Sequence, residues 1–159
     1  MTLENAKTLA TICQGVIDAV DLGVSAELPI SELKLDSRNV KDGDLFFALN
    51  GSAVDGGSFV NDALNAGASA VLLDDSSAYK KLAASDNVIA LPNLRENLGR
   101  IAANYYEDPS KQLNVTGITG TNGKTTIAFM LANLKKLLGE NVGLIGTLGA
   151  GVINKASSN

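Results

Sequence analysis

Histidine is absent from all 159 residues. Its absence removes Ser-His-Asp and Cys-His nucleophile systems, histidine zinc sites and any imidazole general base. Cysteine occurs once, at Cys13, so no disulfide closes within the chain and no CxxC metal pair exists; a buried thiol is the expected state. Long apolar runs are missing too. No stretch approaches the roughly 18 residues of a membrane span, and the start, Met1-Thr2-Leu3-Glu4-Asn5-Ala6-Lys7, lacks a basic stretch followed by an apolar core, so no membrane partner and a cytoplasmic address are expected. Positive charge is scarce: 13 basic residues face 17 acidic ones, a net charge of -4, which leaves no broad nucleic-acid surface but permits local phosphate binding. With 45% hydrophobic and 19% charged residues, the composition suits a globular chain and excludes a disordered tail or coiled coil. Chemistry must therefore come from Lys, Asp, Glu, hydroxyls and backbone.

What is present alternates between strand and helix patterns. Leu9, Ile12, Val16 and Val20 follow helical spacing and predict one lead-in helix. Leu33 to Arg38 reads as a short strand running into a polar turn, and Leu45-Phe46-Phe47-Ala48-Leu49 as a buried strand that stops at Asn50-Gly51, with residues 50 to 57 in loop. Phe59, Val60, Ala63, Leu64 and Gly67 share a helical face; Ala70 to Leu73 and Val88 to Leu91 read as buried strands, with a short helix over Tyr79 to Ala84 between them. After Pro92, Asn93 is a candidate helix cap with Glu96 three residues on, and Leu94, Leu98, Ile101, Ala102 and Tyr105 form the apolar stripe of a helix that Pro109 stops. Such alternation argues for an α/β layer structure. The polar segment Glu107 to Gln112 is a candidate domain boundary, although an interior loop accounts for it as well. Tyr105-Tyr106 reads as packing plus surface, and Asp74-Asp75 as a turn and helix cap.

The sharpest feature follows. Leu113 to Thr119 is strand-like, Gly120-Thr121-Asn122-Gly123 is a loop, and Lys124 to Leu138 is helical, with Ile127, Met130, Leu131, Leu134 and Leu138 on one face. A glycine-rich turn before a helix presents successive backbone N–H groups at the positive end of the helix dipole, which favours a polyphosphate. Lys124 supplies a compact cation for the terminal phosphates, and the Thr125 hydroxyl a ligand for the magnesium that accompanies ATP. The strict G-x-x-x-x-G-K-[ST] pattern is not met, because Ile118 stands where its first glycine belongs; the variant here begins at Gly120. Val142 to Ile145 starts a further strand, and Gly146 to Asn159 trails off in small residues.

Thr119-Gly120-Thr121-Asn122-Gly123-Lys124-Thr125-Thr126 resembles the nucleotide loop of the ATP-dependent Mur ligases of bacterial peptidoglycan synthesis. The resemblance extends to Leu35-Asp36-Ser37-Arg38, Gly43 to Ala48, Gly51, Asp55-Gly56, Asn93-Leu94-Arg95, Leu98-Gly99, Tyr105-Tyr106, Asp108-Pro109-Ser110 and Ile145 to Gly149, and so covers most of residues 33 to 153. Folylpolyglutamate-synthetase-like enzymes share a similar loop but lack the Asp-Ser-Arg and Gly-Asp-Leu-Phe segments. A non-catalytic nucleotide-binding module is the competing class.

The resemblance implies an α/β fold in two parts: a UDP-substrate-binding domain over 1–110 and, over 111–159, the incomplete start of a P-loop ATPase domain with a parallel sheet. It implies an amide ligation in which ATP phosphorylates the carboxylate of UDP-N-acetylmuramoyl-L-alanyl-D-glutamate and a diamino acid, meso-diaminopimelate or L-lysine, displaces phosphate. Lys124 would be the catalytic cation, Gly120, Thr121, Asn122, Gly123, Lys124, Thr125 and Thr126 would bind ATP, and Thr125 would hold Mg2+. Uridine and diphosphate contacts would fall to Leu35, Ser37, Ser52, Ala53 and Val54; at position 52 relatives often carry histidine where this chain has serine. The fragment alone is expected not to ligate.

Overall fold

The computed structural model describes residues 7–52, 54–147 and 149–153, which fall into two compact units, Met1–Leu113 and Asn114–Asn159. In the first, a four-stranded parallel sheet runs in sequence order: β3 (Leu33–Lys34), β4 (Leu45–Ala48), β5 (Ala70–Asp74) and β6 (Val88–Leu91). A separate antiparallel pair joins β1 (Lys7–Thr8) to β2 (Pro29–Ile30).

The central strands are apolar on both faces because both are covered, as parallel sheets require. Side chains alternate across the pleat. Leu45, Phe47, Ala70 and Leu72 point to one cluster with Leu9, Ile12, Cys13, Leu94 and Ile101, while Phe46, Ala48, Val71 and Leu73 point to another with Val40, Val60, Ala63 and Val88. Helices α1 (Leu9–Ile12) and α4 (Leu94–Tyr106) therefore supply one layer and α3 (Val60–Asn65) the opposite one. The expected strands over 45–49, 70–73 and 88–91 are present, as is the long helix from Leu94.

The lead-in region differs from the single helix expected. It forms α1 and a separate α2 (Ala19–Leu22), because Gly15 lies between them at φ 74, where the helical hydrogen-bond ladder cannot continue. A side chain at Gly15 would also meet the Arg100 guanidinium at 2.5 Å. Leu9 and Ile12 are buried as the stripe predicted, and Val16 packs partly against them; the Val20 side chain lies outside the described residues.

Asn93 heads α4 in the left-handed conformation (φ 52, ψ 38) and makes no side-chain cap bond, so the expected Asn93–Glu96 capping pair does not form; the Asn93 carbonyl instead accepts from the Glu96 and Asn97 N–H groups. The far end of α4 is tied back to the chain's beginning. Lys7 Nζ donates to the carbonyls of Asn104 (3.0 Å) and Tyr105 (2.9 Å) and pairs with Glu107 at 3.1 Å. Asn104 Nδ2 in turn donates to the carbonyls of Ile12 (2.9 Å) and Gln14 (3.0 Å). A lysine on the last carbonyls of a helix satisfies orphan acceptors and complements the dipole. Tyr105 packs against the core and donates to the Ser31 carbonyl, whereas Tyr106 stays 57% exposed, matching the packing-plus-surface reading.

In the second unit, α5 (Lys124–Leu137) is followed by an antiparallel hairpin of β7 (Gly143–Gly146) and β8 (Gly149–Val152). Two expectations fail here. Leu113 to Thr119 forms no strand, and no parallel sheet exists among the described residues of this unit. A strand is a paired object: without a neighbour to complete the ladder, Leu113 and Val115 remain 65% and 73% exposed. The trailing segment after Gly146 pairs back as β8 rather than remaining loop; residues Leu148 and 154–159 lie outside the described residues. The expected stripe on α5 is present in register, but Ile127, Met130, Leu134 and Leu138 are exposed while Ala132 is buried.

Candidate functional site

In a parallel sheet every strand ends at the same edge, and the segments leaving those carboxyl ends are where open α/β sheets receive ligands. Leu35 and Ser37 leave β3 at that edge, and the loop Asn50 to Asp55 leaves the adjacent β4. The topology thus brings to one edge two segments well separated in sequence.

After β3 the chain turns into a short 3-10 segment, Ser37–Asn39. Asp36 caps it: Oδ1 accepts the Arg38 backbone N–H at 3.0 Å, while Arg38 Nε donates to the same oxygen at 2.9 Å and Arg38 Nη2 donates to Oδ2 at 2.6 Å. These bonds, the side-chain ones foremost, hold the Asp36 carboxyl down at about 2. Asp36 is therefore a structural cap, and it fixes the direction of an Arg38 side chain that stays 86% exposed. Ser37 is half-buried at the start of the turn, and Leu35 is 61% exposed despite its apolar side chain.

The loop after β4 is closed by its own backbone. Asn50 and Asp55 form an antiparallel bridge, Gly51 N–H donates to the Val54 carbonyl at 3.1 Å, and Gly56 N–H donates to the Leu49 carbonyl at 2.9 Å. Ser52 and Val54 are exposed within it, Val54 by 55%; Ala53 lies outside the described residues. Close approach explains the glycines. A Cβ on Gly56 would sit 2.6 Å from the Leu49 oxygen, and one on Gly57 only 2.4 Å from Ser77 Oγ. Arg95, from the first turn of α4, donates to the Asn50 carbonyl at 3.1 Å, and Asn50 Nδ2 donates to Ser76 Oγ at 3.2 Å. Asp55-Gly56 and Asn93-Leu94-Arg95 carry no evident task in the sequence alone; the consecutive glycines after Asp55 are the available signal. Asp74, read as a turn residue, does hold the turn after β5: its Oδ1 accepts from Ser76 N–H (3.0 Å) and Ser76 Oγ (2.6 Å).

The second candidate site is the Gly120 to Thr126 segment. Gly123 adopts φ 76, ψ -4 immediately before α5, a left-handed turn that glycine accommodates without strain. The helical ladder begins with Ile127 N–H donating to the Gly123 carbonyl at 2.9 Å, so the N–H groups of Lys124, Thr125 and Thr126 precede it and have no intrahelical acceptor. No acidic residue stands in the first turn. Lys124 Nζ lies 2.6 Å from the Gly120 carbonyl and 3.4 Å from that of Thr121, drawing the loop around the lysine. Gly120, Thr121, Asn122 and the two threonines are exposed. The segment therefore presents backbone donors, a cation and hydroxyls without a competing carboxylate, which fits a polyphosphate. Among the described residues no group of three or more Cys, Asp or Glu is placed to hold a metal ion.

By its fold this is a mixed α/β protein built on a parallel four-stranded sheet, with a glycine-lysine-threonine loop at the head of a second unit's helix. The model of the Mur ligase family, catalytic domain, matches residues 29–106. The chain is 44% identical over 129 residues to UDP-N-acetylmuramoyl-L-alanyl-D-glutamate--2,6-diaminopimelate ligase of Pseudomonas putida, covering 81% of this chain and 26% of that enzyme. A solved structure of an enzyme with the same name superposes with a TM-score of 0.66 and 26% identity over 94% of this chain and 29% of the other. The MurF ligase of Thermotoga maritima in complex with ADP superposes with a TM-score of 0.51 and 30% identity over 67% of this chain and 23% of the other. The chain belongs to the Mur ligase family. It spans about a quarter of the length of the curated relatives it matches.

Proposed function

We propose that this chain is the nucleotide-sugar-binding part, with the phosphate loop, of an ATP-dependent ligase that adds a diamino acid to UDP-N-acetylmuramoyl-L-alanyl-D-glutamate. The observation that carries the reading is the carboxyl edge of the first unit's sheet: Leu35, Ser37 and the closed loop holding Ser52 and Val54 leave adjacent strands there, in a chain whose relatives are named for that substrate. In this reading residues 1–110 bind the UDP sugar and residues 111–159 begin the ATP-binding domain. Ser37 offers a hydroxyl to the pyrimidine or diphosphate, Leu35 an apolar surface, and the loop its backbone groups. Arg38, paired with Asp36, keeps an exposed guanidinium at the same edge.

ATP bound at the second unit supplies the phosphoryl group that activates the substrate carboxylate. The chain's own part is positioning and charge: the N–H groups at the head of α5 and those of Asn122 and Gly123 would orient the phosphates, Lys124 would supply a cation to the outer phosphates, and the Thr125 hydroxyl would be a ligand for Mg2+. One hydroxyl suffices, because magnesium carried by a nucleotide takes most of its ligands from phosphate and water. Among the described residues no helix is long and apolar enough to cross a membrane. A reaction that consumes ATP and a nucleotide sugar belongs in the cytoplasm.

Isothermal titration of the chain with UDP-N-acetylmuramoyl-L-alanyl-D-glutamate tests the reading. Saturable binding that Ser37→Ala weakens and Val54→Glu abolishes is expected, with no tripeptide formed when ATP and either diamino acid are added. Absence of binding would overturn the assignment of the first unit, and ligation by the chain alone would overturn the division of labour.

A further inference from the structure

We infer that Asp55 is a positioning residue for the nucleotide-sugar site, holding the Asn50 to Asp55 loop in its binding shape by clamping it to the turn after β5. The inference rests on the substrate reading above.

The Asp55 carboxylate collects donors from both sides of the clamp. Oδ1 accepts the Gly57 N–H at 2.8 Å, within its own segment. From the turn after β5, the Ser77 hydroxyl lies 2.8 Å from Oδ1 and 2.9 Å from Oδ2, and the Ala78 N–H donates to Oδ2 at 3.0 Å. Ser77 is buried and is itself oriented, its Oγ accepting the Tyr79 N–H at 3.1 Å, so its proton is left for Asp55. Burial pushes the Asp55 carboxyl up, but the Gly57, Ser77 and Ala78 donors together pull it below the ordinary value, as expected of a carboxylate held by neutral donors.

The clamp has little to do with holding the sheet together. Strands β4 and β5 pair along four residues from Leu45 to Ala48, and the apolar clusters on both faces are complete without Asp55. What Asp55 controls is the end of the closed loop. Asn50, the other end, is held by Arg95 and Ser76, and the bridge to Asp55 joins the two. Between these anchors lie the residues proposed to meet the substrate. Fixing both ends removes loop entropy that a ligand would otherwise have to overcome on binding.

The experiment is calorimetric titration of the chain with UDP-N-acetylmuramoyl-L-alanyl-D-glutamate at a temperature well below unfolding, with amide hydrogen exchange followed by NMR. Asp55→Asn keeps the acceptor for Gly57 but turns an amide N–H₂ toward the Ala78 N–H. It should bind the substrate at least about tenfold more weakly and speed exchange at Gly51 while leaving Leu72, in the sheet, as protected as in the native chain. Equal acceleration at both amides would mean that Asp55 only supports the fold, and would overturn the inference. So would unchanged affinity in a chain whose Val54→Glu variant has lost binding; that result would leave the substrate site standing. No binding by the unsubstituted chain would remove site and clamp together. Should Asp55→Asn fail to fold, Ser77→Ala decides: a folded variant with affinity reduced threefold or more supports the clamp, and one with unchanged affinity refutes it.

Discussion

A matched pair of Gly→Ala substitutions, Gly56→Ala and Gly99→Ala, should move stability in opposite directions. At Gly56 the new methyl would lie 2.6 Å from the Leu49 oxygen, 2.8 Å from the Leu49 nitrogen and 2.9 Å from the Ala48 carbonyl carbon, all backbone atoms at the end of a buried strand. Side-chain rotation cannot relieve that contact. Overpacking costs about 1–3 kcal/mol, and strain on the Gly56 N–H to Leu49 bond adds a share of the ~1 kcal/mol such a bond contributes, so a loss of about 2–3 kcal/mol is expected. At Gly99, inside α4 and exposed, nothing lies within 4 Å of the added methyl. Relief of backbone entropy should stabilise the helix by roughly 0.5–1 kcal/mol. Urea unfolding followed by circular dichroism, with equal m-values, measures both. A Gly56→Ala chain within about 0.5 kcal/mol of the native one would show that the loop is not seated on β4 as described, given the overpacking range. Destabilisation by Gly99→Ala would show that this helix face is covered.

Three further outcomes follow from single side chains. Lys124→Ala should weaken binding of a non-hydrolysable ATP analogue by at least about tenfold with a melting temperature close to native, since the side chain is exposed and bonds to loop carbonyls; unchanged affinity would remove Lys124 from the phosphate site. Cys13 is fully buried, with its thiol pushed up to about 11 by burial, so a thiol reagent at pH 8 should react slowly with the native chain and promptly in urea; rapid native reaction would refute the packing of α1. The Asp36 carboxyl should titrate by carbon NMR near 2 and move upward in Arg38→Ala. Because the folded value is depressed, the ion pair's support is present above the ordinary carboxylate range and fades as pH falls through the folded value. An unmoved midpoint in Arg38→Ala would assign the shift to the backbone donor instead.

The central sheet was readable because its signal is local. Leu45 to Ala48 and Ala70 to Leu73 are apolar at every position, a pattern that a strand buried on both faces requires. The breaks were less readable. Gly15 ends a helix whose stripe, Leu9, Ile12, Val16, continues past it, since periodicity records faces and not φ. Asn93 has the identity of a cap but a left-handed backbone, and its side chain makes no cap bond. Leu113 to Thr119 shows the reverse case: its residues favour a strand, but pairing is a property of a neighbour, and none adjoins it among the described residues. At the candidate sites, Gly123 and Lys124 stand out in the sequence because the loop chemistry lies in consecutive residues. The ties from Asp55 to Ser77 and Ala78 and from Arg95 to Asn50 span 22, 23 and 45 positions, and no local pattern marks their partners.

The Lys7 tie to the last turn of α4 has a consequence for how the first unit can be handled by evolution or by an engineer. Its first described strand and the last turn of its longest helix meet, with Lys7 on the carbonyls of Asn104 and Tyr105. A unit with that wiring is a cassette: it can be inserted into a host sequence through a single seam, or circularly permuted with a short joining peptide, without redrawing any strand of its sheet.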